Sequence, residues 1–283
     1  MKDLRGACAI VTGASRGIGP YIAKTLAAQG VNVALAARSA GKLEDTRRAC
    51  EALGVKAIAV ATDVTSMDDL RRLVASAERE FGAIDILVNN AGIETTGALE
   101  TLTFEQIDDL LRTNLNAPIW LSKMVLPAMI ARGRGAVVHV SSMAGKSGAP
   151  YNSTYSASKF GLNGFSDSVN FELDGTGVHM SAVCPGFVSE AGMWKNRGGT
   201  APRMAREVSP QKVADSVLKA VRGAREVLVM PTPIRPLLAL AQLAPGMERA
   251  LVKRMGIVAA MRDNPQPASA APERETSDTA PRA

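Results

Sequence analysis

A doubly wound α/β fold, a parallel sheet with helices on both faces, is what this sequence predicts from its first residues to about Met230. Three observations carry the prediction. Apolar runs of strand length alternate with helical patterns at the spacing of βα units. The composition, 46% hydrophobic and 21% charged with only 4% aromatic, is rich in Ala, Val and Leu, as parallel sheets buried on both faces tend to be. A glycine-rich turn directly follows the first apolar run, where such a sheet opens into its first helix.

Strands are expected at ACAIVT, VNVALAA, VKAIAVAT, IDILVN, GAVVHVS, VHMSAVC and EVLVM. Helix starts are read from capping chemistry. Ser66 with Asp69 and Thr103 with Gln106 form capping boxes, and Ser209 followed by Pro210 is an N-cap with proline at the first helical position. These place helices over 67–80, 104–131 and 210–222. Beyond the sheet, Ile234, Leu237, Leu238 and Ala241 recur at helical spacing, and Met247, Leu251, Met255 and Val258 continue the stripe after Pro245-Gly246. Two short helices are therefore expected over 232–261. The first has only Gln242 as a polar residue between 237 and 243 and reads as buried, whereas Glu248, Arg249, Lys253 and Arg254 give the second a wet face. This extension is read as a cap on the sheet edge or a subunit interface, or else as a lid over an apolar cleft touching lipid headgroups through its basic face. Residues 262–283 are Pro, Ala, Ser, Thr and charge with almost no large apolar side chain, and a disordered tail is expected. One domain, 1–261, accounts for the rest.

Several function classes fall away. The N-terminus lacks an apolar segment followed by a small-residue cleavage site, and no run of about 18 uncharged apolar residues occurs. A cytoplasmic protein is expected. Cys8, Cys50 and Cys184 are odd in number, widely spaced and set among apolar residues, which fits buried reduced thiols and no metal site. The net charge of +6 comes from Lys and Arg scattered among acids, without the aromatic interleaving of a nucleic-acid surface.

The turn reads TGASRGIG, with Gly13, Gly17 and Gly19 spaced as G-x-x-x-G-x-G. Gly13 allows the tight turn, and Gly17 and Gly19 let a pyrophosphate approach backbone amides at a helix N-terminus, where partial positive charge suits an anion. The fold is accordingly read as Rossmann-type, with Gly13, Gly17 and Gly19 shaping the anion site. A second motif is STYSASKFGLNGF, which puts a phenol at Tyr155 and an ammonium at Lys159, one helical turn apart.

Together with NNAG at 89–92, these motifs resemble the short-chain dehydrogenase/reductase family, in its NADP-preferring branch, over about 4–230. The resemblance, carried by the glycine turn and the motifs after it, implies Gly13, Ser15, Arg16, Gly17, Ile18 and Gly19 as the dinucleotide-binding set. It further implies that Asn90 lies beside the adenosine ribose, Asp63 and Val64 around the adenine, and Pro185, Gly186 and Val188 along the nicotinamide. It implies an active-site serine thirteen positions before the tyrosine, which is Ser142, and a helix asparagine holding a water behind the lysine, which is Asn114. The tetrad is complete. Its residue types support the chemistry: carbonyl reduction by hydride leaves an alkoxide that needs a proton, and a nearby ammonium favours the phenolate of a phenol that must cycle. Lys159 would also bind the nicotinamide ribose, while Ser142 would hydrogen-bond the substrate oxygen. His139 and His179 lie in strands and are read as packed.

Cofactor choice is read at the end of the second strand, where an acid binds the ribose of NAD and an arginine accepts the 2′-phosphate of NADP. Here Ala37 and Arg38 stand there, with Arg16 close by, so NADP(H) is expected over NAD(H). Relatives carry a threonine where this chain has Glu190, preceded by Ser189, and the segment 191–206 is the expected substrate loop, apolar through Met193, Trp194 and Met204. The resulting expectation is an NADP(H)-dependent oxidoreductase of an apolar ketone or aldehyde, as a homo-oligomer (dimer or tetramer). The alternatives are a 3-oxoacyl thioester reductase and a non-catalytic NADP-binding regulator.

Overall fold

The structure, a computed structural model, describes residues 1, 3–193, 207–230, 235–243, 245–254 and 256–263. Seven strands form one parallel sheet in the order β3-β2-β1-β4-β5-β6-β7: β1 (Cys8–Thr12), β2 (Asn32–Ala37), β3 (Ala57–Ala61), β4 (Ile86–Asn89), β5 (Gly135–Val140), β6 (Val178–Pro185) and β7 (Glu226–Val229). The expected strands are all present.

Two cores explain why these strands are so apolar. On one face α1 (Gly19–Ala27), α2 (Ala40–Glu51) and α7 (Pro210–Val221) pack Ile22, Leu26, Leu43, Val213 and Val217 against Val11, Val33 and Val138. On the other, α3 (Met67–Phe81), α5 (Ala117–Ala131) and α6 (Ser153–Glu172) pack Leu70, Leu73, Leu121 and Met129 against Ile10, Leu87 and Val137. Successive strand residues point to opposite faces, and both faces are dry.

Two helix readings need correction. Thr103 and Gln106 close a full capping box at the start of α4 (Phe104–Leu111), but at α3 only half the box exists. Ser66 Oγ accepts from Asp69 N, while the Asp69 carboxylate accepts from Asp63 N at 2.8 Å. The stretch expected as one helix over 104–131 is interrupted by a π-turn at Arg112–Asn116. Pro118 lacks the N–H that would bond back to Asn114 in an α-helix, and the chain instead closes a wider ring, Ala117 N–H donating to Arg112 O.

The C-terminal extension forms three helices rather than two: α8 (Arg235–Leu243), α9 (Pro245–Arg254) and α10 (Ile257–Asp263). Gly256, at a φ of 71°, ends α9 in a left-handed conformation that glycine adopts without strain. Burial of the first helix is not observed among its described side chains: Arg235, Pro236, Ala239 and Leu243 are exposed and Leu238 is half-buried. Helix α10 runs past 261 to Asp263, so the first two residues of the expected tail are helical; 264–283 lie outside the described residues, as do 194–206 of the expected substrate loop.

Candidate active site

The strand order reverses between β1 and β4, and side chains for a site gather where the strands end beside that switch point. Gly13 and Gly17 take φ of 64° and 65°, which a side chain would strain. The turn is clamped from β4. Thr12 Oγ1 accepts from Asn90 N and Ala91 N, both at 3.0 Å, and Asn90 Nδ2 donates to Thr12 O at 2.9 Å and Gly13 O at 3.2 Å. Asn90, expected beside the ribose, thus holds the turn itself.

Helix α1 starts at Gly19 with Ile18 as N-cap, no side-chain cap and no acid in its first turn, so its leading amides suit an anion. Ser15 and Ile18 are half-buried at the rim, and Arg16 and Arg38 are exposed beside it. The Asp63 carboxylate accepts from Thr65 N and Oγ1 at 2.9 and 2.7 Å, and Val64 lines a small cavity with Thr12, Asn89 and Ala91. Pro185 ends β6, with Gly186 donating its N–H to Val229 O, and Val188 is buried and bridged to Val208. The Ser189 hydroxyl donates to Val208 O at 3.3 Å, so it stitches the segment together, and exposed Glu190 sits at a φ of 61°.

The second half of the site rests on α6. Lys159 is 4% exposed, donates to Val140 O at 2.9 Å, and lies 5.5 Å from the Tyr155 ring centre. Burial pushes its pKa down to about 8, with Cys184 and Glu94 opposing the fall. Ser142 caps a short turn, Met143–Gly145, its Oγ accepting from Ala144 N. That turn is pressed onto α6: Asn163 donates to Gly145 O at 2.8 Å, and a Cβ on Gly145 would stand 2.7 Å from Lys159 O. Ser142 and Lys159 are thereby held in register. Asn114, turned inward by the π-turn, is fully buried; its side chain accepts from Ile93 N and donates to Ile93 O, both at 2.8 Å. Its amide also donates to Ser158 Oγ, which donates to Tyr155 O.

The sequence profile described as short chain dehydrogenase matches residues 7–201. The chain belongs to the short-chain dehydrogenase family. It is 40% identical over 264 residues to the ketoacyl reductase HetN of Nostoc sp., covering 91% of this chain and 92% of that one. The gluconate 5-dehydrogenase of Gluconobacter oxydans is 39% identical over 185 residues, 65% of this chain and 72% of the relative. A metagenomic short-chain oxidoreductase solved with NADP superposes with a TM-score of 0.71 at 36% identity, over 82% of this chain and all (100%) of that one. A variant of actinorhodin polyketide ketoreductase solved with NADPH gives 0.72 at 33%, over 79% and 95%. This short-chain dehydrogenase is an oxidoreductase with the family's fold.

The pair sequence reasoning missed is Glu94 and Asn152. Asn152 Nδ2 donates to Glu94 Oε1, three residues before Tyr155, and Gly97 N donates to Tyr151 O at 2.9 Å across the same loops. Nothing local in the sequence joins residues so far apart. Pro118, in contrast, is a readable signal for the break that turns Asn114.

His139 in β5 is fully buried, its Nδ1 3.2 Å from Asn89 Nδ2, and its ring lies 5.9 Å from that of Phe165. Burial, with Lys159 nearby, pushes its pKa down from 6.5 to about 3. Below pH 6.5 the unfolded chain takes up a proton that the folded one refuses, so stability falls as pH drops toward 3. His179, also lowered by burial, acts in the same direction. Urea unfolding of the wild type should lose about 2 kcal/mol between pH 7 and 5, and His139→Asn should flatten most of that slope. The three cysteines are buried and free, with burial raising Cys8 to about 12 and Cys50 and Cys184 to about 11. Among the described residues no cluster of His, Cys, Asp and Glu suits a metal, and no helix is long and apolar enough to cross a membrane.

Proposed function

We propose that this short-chain dehydrogenase interconverts a carbonyl and an alcohol with NADP(H), and that its substrate is a 3-oxoacyl thioester or a similarly apolar ketone. The single observation that carries the reading is the buried Lys159 side chain 5.5 Å from the Tyr155 ring centre, held by its bond to Val140 O. A buried cation so placed favours the phenolate that proton cycling requires. The site fits the dinucleotide: an uncapped helix N-terminus, a glycine turn and two exposed arginines face the same rim. NADPH, when bound, supplies the hydride. Tyr155 gives its proton to the nascent alkoxide, Ser142 donates a hydrogen bond to the same oxygen, and Lys159 holds the ribose and re-establishes the phenol's charge balance. Asn114 keeps the 92–94 backbone against the site through its double bond to Ile93.

Preference for NADP(H) is supported by Arg16 and Arg38 and by Ala37 in the place of an acid, and both solved neighbours hold that cofactor. The thioester reading is supported by the ketoacyl reductase that this chain matches nearly end to end. An intact tetrad weighs against a non-catalytic regulator. A homo-oligomer in the cytoplasm is part of the reading, since Ser153, Ala157, Phe160, Gly164 and Phe171 form an exposed stripe along α6, with Phe171 84% exposed.

The test follows NADPH absorbance with acetoacetyl thioesters, apolar ketones, aldehydes and quinones, each repeated with NADH. Faster oxidation of NADPH with the thioester is expected, and the double variant Ala37→Asp, Arg38→Ala should move the preference toward NADH by about tenfold or more. Absence of turnover on every carbonyl, or an unchanged preference in the double variant, would overturn the corresponding part.

A further inference from the structure

Asn152 occupies the N-cap of α6, the helix that carries Tyr155 and Lys159, yet its side chain makes no capping bond. An asparagine at this position ordinarily stabilises a helix through its side-chain oxygen. Here the side chain turns to Glu94 instead. It is 2% exposed, and its Oδ1 is buried with no hydrogen-bond partner. A buried amide oxygen left in that state is destabilising, and in a well-packed region it marks a place where a donor is meant to arrive.

The surroundings fix where the pair stands. Ile93, next to Glu94, is gripped on both backbone groups by Asn114. Tyr151, next to Asn152, is held at a φ of 55°, a left-handed conformation that strains a bulky residue, while its carbonyl accepts from Gly97 N. A Cβ on Gly92 would stand 3.5 Å from Met193 Cε, so the segment leading into the expected substrate loop closes over the same loops. Glu94 is half-buried, and its charge is felt at Lys159. The result is two acceptor groups, a carboxylate and an amide oxygen, joined to each other at the start of the helix that carries Tyr155.

We propose that Glu94 and Asn152 form an acceptor pair that recognises a hydrogen-bond donor, a hydroxyl or amide N–H, on the ketone substrate and turns away ketones bearing a carboxylate. The inference rests on the carbonyl-reductase reading above. A carboxylate has capacity for several donors at once. A thioester arm carrying an amide N–H meets this requirement, and free acetoacetate does not.

The experiment uses matched substrates on the full chain: the acetoacetyl thioester of N-acetylcysteamine and its N-methylamide counterpart, and hydroxyacetone with methoxyacetone. Each pair differs by one donor replaced with methyl. The wild type should favour the donor-bearing member of at least one pair by about tenfold in kcat/KM, and Glu94→Gln should bring that ratio close to one, chiefly through KM. Asn152→Ser, which keeps a capping hydroxyl for the helix, should lower the ratio by a smaller factor, and Glu94→Gln should improve kcat/KM for acetoacetate. A wild type that does not distinguish either pair overturns the inference alone. So does Glu94→Gln slowing both members equally with a displaced pH profile, since Glu94 would then act only on the charge of Lys159. A wild type inert toward every ketone removes the reductase reading, and the inference falls with it.

Discussion

Tyr155→Phe is expected to lower turnover by about 10²–10⁴-fold while the affinity for NADPH changes little. The ring is 9% exposed and sits on α6 among buried neighbours, so phenylalanine fills the same space and the helix is undisturbed. Only the hydroxyl is lost, and with it the proton that the alkoxide needs. Lys159 keeps its bond to Val140 O, so cofactor contacts through the lysine survive. Fluorescence titration with NADPH beside single-turnover kinetics separates the two quantities. Wild-type-like turnover in this variant would remove Tyr155 from the proton transfer.

Gly19→Ala is expected to weaken NADPH binding by about 100-fold or more and to destabilise the fold by about 1–3 kcal/mol. The added Cβ would stand 2.1 Å from Gly13 O and 2.8 Å from Ala14 Cα, both backbone atoms. Neither rotates away, so the turn must open. Because Gly13 O also accepts from Asn90, opening the turn pulls on β4 as well. Gly41→Ala is the control: it lies in α2 with nothing within 4 Å of the added carbon, and alanine there should stabilise by about 0.5–1 kcal/mol. Equal NADPH affinity in the two variants would mean that the turn does not hold the pyrophosphate.

The sheet was legible because both faces of every central strand are dry, which writes continuous apolar runs into the chain. The Tyr155 and Lys159 pair was legible because the two share one helical turn, which α6 supplies. Less legible was anything that depends on how segments meet. Apolar periodicity does not register the one-residue widening at Arg112–Asn116, although Pro118 announces a missing donor. Asp69 has the right spacing to complete a box at Ser66, but a competing amide, that of Asp63, is closer. The bonds from the Asn90 amide to the glycine turn, and the pairing of Glu94 with Asn152, join distant segments and leave no local pattern. In the C-terminal extension the apolar stripe runs through Gly256, so spacing alone does not reveal that the helix stops there.

The clamp between Thr12 and Asn90 also governs the order in which the chain becomes competent. Its partners are 78 residues apart, and the two strands they end are neighbours in the sheet although β2 and β3 come between them in the chain. All three turn glycines leave the ribosome long before β4 does, yet the bonds that shape the turn cannot close until β4 has docked. The entropy of closing so long a loop must be met first, and topologies of this kind fold slowly for that reason. A nascent chain ending before residue 90 therefore carries the whole glycine motif and no dinucleotide grip, so a ligand binding the finished turn offers no assistance to the first half of the sheet and can stabilise the chain only after its two halves have joined.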